Sequence, residues 1–318
     1  MIRFPTDLAQ AAGSDGEIRA GATDLAERRR TMAGEGPLVD LRDVAEARNI
    51  EVAADGRTRI GALVTIAALA HDEHVSGGYP GLAQAAGGLA TPQIRAVGTV
   101  GGNLLQHTRC WYYRAPEAEC FKKGGAMCSA RKGDHLWHAC VELGPCASVH
   151  ASTLGMALLA YDARIDIVGA TMRTVADLYG DGSDPTAHNA LPPGAVLRGI
   201  EIDPPRRGER SVYLRATSRA RAEWPLVEVL VRIGVEAGVI AWAKVAVGAV
   251  AGVPLRLPQV EAALVGAPAQ AEALVAIAAL AREGTAPLPM TAYTVDLLEG
   301  VVADALERAL VADPVGGS

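Results

Sequence analysis

Five cysteines stand close together in a chain that is otherwise free of them. Cys110, Cys120, Cys128, Cys140 and Cys146 fall within 37 of the 318 residues. Thiols gathered in this way are typical either of disulfide stapling or of a site for a soft metal. An odd number of cysteines does not pair completely into disulfides, so the pattern favours metal binding.

The cysteine segment is also basic. Between residues 109 and 132 there are six Lys and Arg side chains but only two Glu, a local surplus of positive charge in a chain of net charge −6. Positive side chains lower the cost of holding an anionic metal–thiolate centre. Charge alone is more typical of a solvated loop, and it is the cysteines that favour a metal site here.

The composition is that of an ordinary globular protein with room for two or three domains. Half of the residues are hydrophobic and 21% are charged. No basic face recurs along the chain, which argues against nucleic acid as a partner, and no apolar run approaches the roughly 18 residues that span a bilayer. The first ten residues do not resemble a secretory leader. We therefore expect a cytoplasmic protein with reduced thiols and no membrane contact, unless an exported partner carries it.

Regular elements must position the cysteines, and the residue pattern predicts a mixture of strands and helices. Short strand-like and helical runs alternate up to the segment 204–210, PPRRGER, which is typical of a linker or long turn. Beyond it, apolar alternation followed by alanine-rich helical runs predicts a small antiparallel sheet with a helical layer. The main domain boundary is therefore expected at this linker.

Two glycine-containing turns could hold a phosphate group. The segment 98–103, GTVGGN, has glycines where backbone N–H groups can approach a ligand. The segment 21–25, GATDL, leads from a predicted strand into a predicted helix, whose N-terminus suits an anion. Neither is a Walker loop or a G-x-G-x-x-G fingerprint, and each alone is more typical of an ordinary turn. Because both lie near predicted strand ends, the pair indicates a dinucleotide site.

These segments together resemble one family. AGATDL at 20–25, IGAL at 60–63 and TPQIRAVGTVGGNLL at 91–105 are similar to the FAD-binding subunit of molybdenum hydroxylases. That family includes the flavoproteins of xanthine dehydrogenase, carbon monoxide dehydrogenase and aldehyde oxidoreductase. The resemblance continues through 149–160 and 247–256 and covers essentially the whole chain.

The resemblance implies an α+β fold. A two-lobed FAD-binding domain of the PCMH/VAO-like type would be followed by a smaller α+β domain of the CO dehydrogenase flavoprotein C-terminal type. FAD would lie between the two parts. The implied units are residues 1–205, with lobes of about 1–56 and 57–205 and a cysteine-rich loop at 107–148, and residues 210–318.

The same resemblance implies which residues hold FAD. The two glycine turns would bind its pyrophosphate, Arg215 would lie near the flavin, and Ser152 and Thr153 would stand where the family often has Ser-Asp near the adenosine part. Ala22 replaces a commoner glycine, which is tolerable if its φ is negative. The implied FAD-binding residues are Ala20, Gly21, Ala22, Thr23, Asp24, Leu25, Thr99, Gly101, Gly102, Asn103, Ser152, Thr153 and Arg215.

Most flavoproteins of the family lack a cysteine segment. RCWYYR…CFKKGG…C resembles the subgroup that adds a 4Fe–4S cluster, as in 4-hydroxybenzoyl-CoA reductase and the periplasmic aldehyde oxidoreductase. The implied ligands are Cys110, Cys120, Cys128 and Cys146, with Cys140 as a spare thiol. On chemistry alone four thiolates suit zinc equally well, although the paired C-x-x-C of many structural zinc sites is absent.

The implied function is electron transfer within a larger oxidoreductase. FAD and the cluster would exchange electrons with a 2Fe–2S small subunit, and substrate would react on a molybdopterin-bearing large subunit, with a dimer of heterotrimers as one arrangement. No catalytic triad or paired carboxylates occur in the sequence, which agrees with a carrier of electrons. The alternatives are a free-standing flavoenzyme and a zinc-stapled binding protein without flavin.

Overall fold

The structure is a computed structural model that describes residues 1–32, 36–220 and 222–316. Three sheets follow one another along these residues, each with its own strand order. The observed architecture is α+β, as the sequence predicts. No helix in the described ranges is both long enough and apolar enough to cross a membrane.

The first sheet is small and parallel. Its strand order is β1-β3-β2, and helices connect the strands as in βαβ units. Its apolar side chains form a separate small core that includes Leu8, Val39 and Val44. The elements are β1 Ile2–Arg3, α1 Leu8–Ala11, β2 Glu17–Arg19, α2 Leu25–Thr31 and β3 Leu38–Asp40.

The second sheet is antiparallel, with the order β4-β5-β8-β6-β7. Its strands are β4 Ile50–Val52, β5 Thr58–Gly61, β6 Arg164–Ile167, β7 Arg173–Thr174 and β8 Leu197–Ile202. Because β4 pairs with β5, this sheet takes in residues 50–52, which the sequence-based boundary at 56–57 assigned to the first lobe.

Eight short helices accompany the second sheet within the described residues, and the longest pack in the main core with Leu82, Leu154 and Met156. The helices are α3 Ile66–His71, α4 Glu73–Gly78, α5 Pro80–Gly88, α6 Pro92–Val97, α7 Val100–Leu104, α8 Trp111–Arg114, α9 Thr153–Ala160 and α10 Val175–Tyr179. α5 includes Gly87 and Gly88, and the absence of a side chain at Gly88 leaves room for the ring of Tyr213.

The third sheet is antiparallel and fills the C-terminal part, with the order β12-β11-β10-β9. Its elements are β9 Glu209–Ala216, β10 Val227–Glu236, β11 Val239–Gly248, β12 Leu255–Arg256, α11 Pro258–Leu264, α12 Ala271–Ala279 and α13 Ala292–Val311. β10 is buried on both faces. Val229 and Val231 pack in the core that contains α13, whereas Leu230 packs in the core that contains α9. The third sheet therefore presents one face to the helices that accompany the second sheet.

Candidate functional site

The two glycine turns lie directly against each other. A Cβ atom on Gly21 would stand 1.9 Å from the carbonyl oxygen of Val97 and 3.0 Å from the Cα of Gly98. Only a residue without a side chain allows two backbones this close. Gly21 is thus a packing residue at the junction of the turns, and the structure brings together two motifs about 75 residues apart in sequence.

The second turn is shorter than the sequence indicates, because α7 begins at Val100. Thr99 caps this helix, and its side chain accepts a hydrogen bond from the N–H of Gly102 at 3.1 Å. The N–H groups of Val100 and Gly101 donate to the carbonyls of Val64 and Ala62. The expectation of a free loop whose N–H groups face a ligand is therefore wrong for these three N–H donors, which bond within the protein.

Ala22 has a left-handed backbone conformation, with φ of +59°. The condition for tolerating alanine here, a negative φ, is not met. A side chain in this conformation costs about 1 kcal/mol relative to glycine. The turn keeps this shape because Gly21 is clamped against Val97 on one side and α2 begins at Leu25 on the other.

Asp24 faces the cysteine segment. Its carboxylate accepts from Arg114 at 2.7 Å and from the backbone N–H of His107 at 3.1 Å, and it lies 3.2 Å from Arg109. Burial opposes ionisation of Asp24, but the charges and hydrogen bonds of Arg109 and Arg114 outweigh it and lower the pKa. The arginines therefore balance the negative charge of the carboxylate, which joins the first glycine turn to the cysteine segment.

Two clefts meet at the glycine turns. The first has a volume of about 280 Å³ and reaches the third sheet, and the second has a volume of about 420 Å³ and reaches the first sheet and residues 193–197. Residues that line both are Thr23, Asp24, Thr99, Gly102 and Gln106. An elongated ligand could therefore lie across the turns with one end in each cleft.

Most of the residues predicted to bind FAD line these clefts. In the first cleft they are Thr23, Asp24, Thr99, Gly102, Asn103, Thr153 and Arg215. In the second they are Ala20, Ala22, Thr23, Asp24, Leu25, Thr99, Gly101 and Gly102.

Ser152 lines neither cleft. It caps α9, accepts from the N–H of Gly155 at 2.9 Å and donates to Asn103 Oδ1 at 2.7 Å. Its place is behind the cleft wall, where it fixes the side chain of Asn103. Thr153, its neighbour, lies in the first cleft together with Arg215 and not in the second.

Arginine side chains with unpartnered donors line both clefts. Arg28 Nε in the second cleft, and Arg109 Nε and Arg215 Nη2 in the first, are buried and have no hydrogen-bond partner among the described residues. Buried donors of this kind are normally satisfied by a ligand or water. The residues present therefore fit an anionic ligand with aromatic character, since Trp224 also lines the first cleft and carries the Arg109 guanidinium 4.7 Å from its ring centre.

The sequence did not identify Arg28, Arg109 or Trp224 as cleft residues. They come from α2, from the cysteine segment and from the loop between β9 and β10, and no local motif links them. The positive charge of residues 109–132 was noted, but nothing in the sequence indicated that Arg109 turns toward the glycine turns.

The five cysteines are free thiols. Burial raises the pKa of Cys110 to about 11, and the charges of Cys120 and Cys128 add to this. Burial also raises the pKa of Cys120, and Cys146 and Cys128 contribute to that shift. Cys110 is thus influenced by two other thiols of the segment, and Cys120 is influenced by two as well.

Cys140 stands apart from this group. It is fully buried in the core of the third sheet, and burial raises its pKa to about 11 without a contribution from any other thiol. Its backbone N–H donates to Val250 at 3.0 Å and its carbonyl accepts from Ala286 at 2.8 Å. Its thiol is thus part of the hydrophobic core.

The cysteine segment has little regular structure and is held by side chains. Arg131 donates to the carbonyls of Gly144 and Pro145 at 2.8 and 2.7 Å, and the Tyr112 hydroxyl accepts from the N–H of Asp134 at 2.8 Å. His138 is buried, with Nε2 3.2 Å from Cys110 Sγ. In the described ranges no three His, Cys, Asp or Glu side chains converge as they would around a single metal ion.

Two family profiles match the chain. The FAD binding domain in molybdopterin dehydrogenase matches residues 6–204, and the CO dehydrogenase flavoprotein C-terminal domain matches residues 212–309. The chain is 34% identical over 268 residues to the aldehyde oxidoreductase FAD-binding subunit PaoB of Escherichia coli strain K12, covering 82% of each. It is 25% identical over 259 residues to the nicotinate dehydrogenase FAD-subunit of Eubacterium barkeri, covering 81% of this chain and 74% of that protein.

Solved structures share the fold over almost the entire chain. Carbon monoxide dehydrogenase from Oligotropha carboxidovorans superposes with a TM-score of 0.76 at 21% identity, covering 98% of both chains. Quinoline 2-oxidoreductase from Pseudomonas putida 86 superposes with a TM-score of 0.75 at 20% identity, covering 98% of this chain and 96% of the other. These likenesses confirm the predicted fold of an FAD-binding domain followed by a flavoprotein C-terminal domain. The chain belongs to the FAD-binding subunits of the molybdenum hydroxylase family and is an oxidoreductase subunit.

Proposed function

We propose that FAD lies across the two glycine turns, with its isoalloxazine half in the first cleft and its adenosine half in the second. The observation that carries this proposal is that the two clefts meet at Thr23, Thr99 and Gly102. The buried, unpartnered N–H groups of Arg215 and Arg109 support the first assignment, since both line the cleft that Trp224 also lines.

The residues of the chain bind and orient FAD in this proposal. Arg28 donates to the pyrophosphate or the adenosine half from the second cleft, and Arg215 donates to an oxygen of the flavin ring. Trp224 covers the ring and limits the access of water. FAD supplies the hydride and single-electron chemistry, which the protein tunes by position and charge.

We further propose that Cys110, Cys120, Cys128 and Cys146 hold a 4Fe–4S cluster. The electrostatic influence of Cys120 and Cys128 on Cys110, and of Cys128 and Cys146 on Cys120, supports this, as does the place of Cys140 in the core of the third sheet. In such a cluster each thiolate binds a different iron, so the sulfur atoms stand farther apart than around one zinc ion.

The role that follows is an electron relay between subunits. The cysteine group would exchange electrons with FAD and with a 2Fe–2S small subunit, and substrate would react on a molybdopterin-binding large subunit. PaoB and the nicotinate dehydrogenase relative are named as FAD subunits, which supports a multi-subunit context. A dimer of such heterotrimers is one arrangement that the proposal accommodates.

The test is anaerobic purification followed by the absorption spectrum and by iron, acid-labile sulfide and flavin contents. We expect FAD together with about four iron and four sulfide per chain. FAD without iron would contradict the cluster and leave the flavin proposal standing, and zinc in its place would establish the zinc alternative. A stable FAD-loaded monomer that oxidises substrate unaided would favour the free-standing flavoenzyme.

A further inference from the structure

A buried carboxyl group lies behind the first cleft. Glu228 on β10 is 1% exposed, and its Oε2 accepts hydrogen bonds from the hydroxyls of Thr153 at 2.8 Å and Tyr213 at 2.9 Å. Burial raises the pKa of Glu228, while these two hydrogen bonds and the charge of Arg215 act in the opposite direction. Since both hydroxyls donate to Oε2, that oxygen is an acceptor in either ionisation state of the carboxyl group.

Only one of the two hydroxyl-bearing residues lines the cleft. Thr153 lines it, whereas Tyr213 does not and instead packs its ring against Gly88 of α5. Arg215 lines the same cleft from β9, where it is the direct cross-strand neighbour of Glu228. The same carboxyl oxygen therefore holds one hydroxyl in the cleft wall and another in the core.

The direction of the hydrogen bond between Thr153 and Glu228 determines whether the Thr153 hydroxyl can donate to a ligand or accept from it. A threonine hydroxyl has one proton and two lone pairs. Because the proton points to Glu228, only lone pairs remain for the cleft, so Thr153 presents a hydrogen-bond acceptor there. Arg215 presents donors only.

We propose that Glu228 is a positioning residue for FAD, which acts by holding Thr153 as an acceptor toward a ring N–H or ribityl hydroxyl of the bound flavin. An acceptor on Thr153 and donors on Arg215 complement the pyrimidine edge of isoalloxazine, where an N–H group is flanked by carbonyls. In this arrangement a carboxyl group from β10 acts on the ligand through the threonine. This inference rests on the proposed placement of FAD in the first cleft.

The test compares FAD dissociation constants of apo-protein variants, measured by flavin fluorescence, with their melting temperatures without FAD. Thr153→Val removes the acceptor and is expected to raise the dissociation constant about tenfold. Glu228→Gln is expected to raise it severalfold, because an amide can turn its NH₂ group to Thr153 and reverse the hydroxyl. Tyr213→Phe is the matched control, since it removes a hydrogen bond to the same oxygen outside the cleft and should leave FAD affinity unchanged.

A double variant decides whether Glu228 acts through Thr153. In the Thr153→Val background, Glu228→Gln should add nothing to the loss of affinity. The proposal is overturned if Glu228→Gln still lowers FAD affinity in the Thr153→Val background. It is also overturned if Tyr213→Phe weakens FAD binding as much as Glu228→Gln does. If Glu228→Gln fails to accumulate, Glu228→Asp replaces it; this variant withdraws the oxygen by one methylene and should also weaken FAD.

Arg215→Met tests the placement of FAD in the first cleft separately from the role of Glu228. If Arg215→Met weakens FAD and Glu228→Gln does not, only the role of Glu228 is wrong. If neither Arg215→Met nor Thr153→Val changes the affinity, FAD does not occupy the first cleft and the placement itself fails.

Discussion

The clefts at the glycine turns are built in one way, and the cysteine segment is built in the opposite way. The cleft walls come from strand ends, helix starts and backbone contacts, such as Gly21 against Val97. The cysteine segment has one four-residue helix and two single 3₁₀ turns between residues 107 and 148, and arginine and tyrosine side chains hold its backbone. The cleft is thus shaped by the fold, whereas the segment depends on side-chain ties and on any metal it binds.

The two regions are joined by a cluster of ion pairs. Arg114 is 9% exposed and bonds to Asp24 from the first glycine turn, and it also donates to the carbonyl of Thr108 at 2.9 Å. Arg109 reaches from the residue before Cys110 to Asp24 and to Trp224 in the first cleft. A change in either region should therefore affect the stability of the other, and substitutions in each can show how far the two regions are independent.

The largest effect is expected from the thiols. Cys110→Ser, Cys120→Ser, Cys128→Ser and Cys146→Ser should each lose most of the bound iron, because a serine oxygen is a poor ligand for this soft centre. Cys140→Ser should keep its iron, since Cys140 lies in the core of the third sheet. Iron and sulfide analysis of each purified variant is the measurement. Iron lost from Cys140→Ser and retained in Cys146→Ser would reverse the assignment of the fourth ligand.

Gly21→Ala should disrupt the contact between the two glycine turns at which the clefts meet. Its Cβ would overlap the carbonyl of Val97, and backbone atoms cannot move aside as a flexible side chain can. We expect a loss of about 3 kcal/mol in the free energy of unfolding, measured by denaturant titration, together with loss of FAD. Gly77→Ala in α4 is the control, because a Cβ there meets nothing within 4 Å and should stabilise by about 0.5 kcal/mol. Normal FAD content in Gly21→Ala would show that the turns need not touch.

Asp24→Asn should weaken the junction between the two regions. It leaves the buried Arg114 with only its longer carboxylate contact, to Glu27 at 3.5 Å, at an expected cost of about 2 kcal/mol in the free energy of unfolding. In the wild-type protein the ion pair contributes this stability at neutral pH. The stability is lost as the pH falls through the pKa of Asp24, which is lowered from the ordinary aspartate value of about 4. Chemical denaturation at two pH values measures both effects.

Asp296→Asn is the matched control for this junction. Asp296 pairs with Arg282, but its side chain is 75% exposed, so the loss should stay within about 0.5 kcal/mol. If Asp24→Asn proves equally mild and keeps both FAD and iron, the two regions are independent of each other.

Sequence reasoning located the site by its motifs and missed what long-range packing decides. The glycine turns and the cysteines are local patterns, so their residues could be named and most of the former do line the clefts. Glu228 could not be found, since 75 residues separate it from Thr153 and a lone glutamate in a strand carries no signature. The N–H groups of α7 were misjudged because their partners, the carbonyls of Ala62 and Val64, are fixed by tertiary contacts.

The smallest predicted effect tests whether the first turn carries backbone strain. Ala22→Gly should relieve the cost of a positive φ, but glycine also gains more conformational freedom in the unfolded chain. The first term is the larger, so we expect a net gain of about 0.5 kcal/mol in the free energy of unfolding. Thermal melting of the FAD-free protein measures this without interference from the ligand. A destabilised Ala22→Gly would mean that the Ala22 methyl group contributes packing in the second cleft that outweighs the strain, and the wall of that cleft would then depend on side chains as the cysteine segment does.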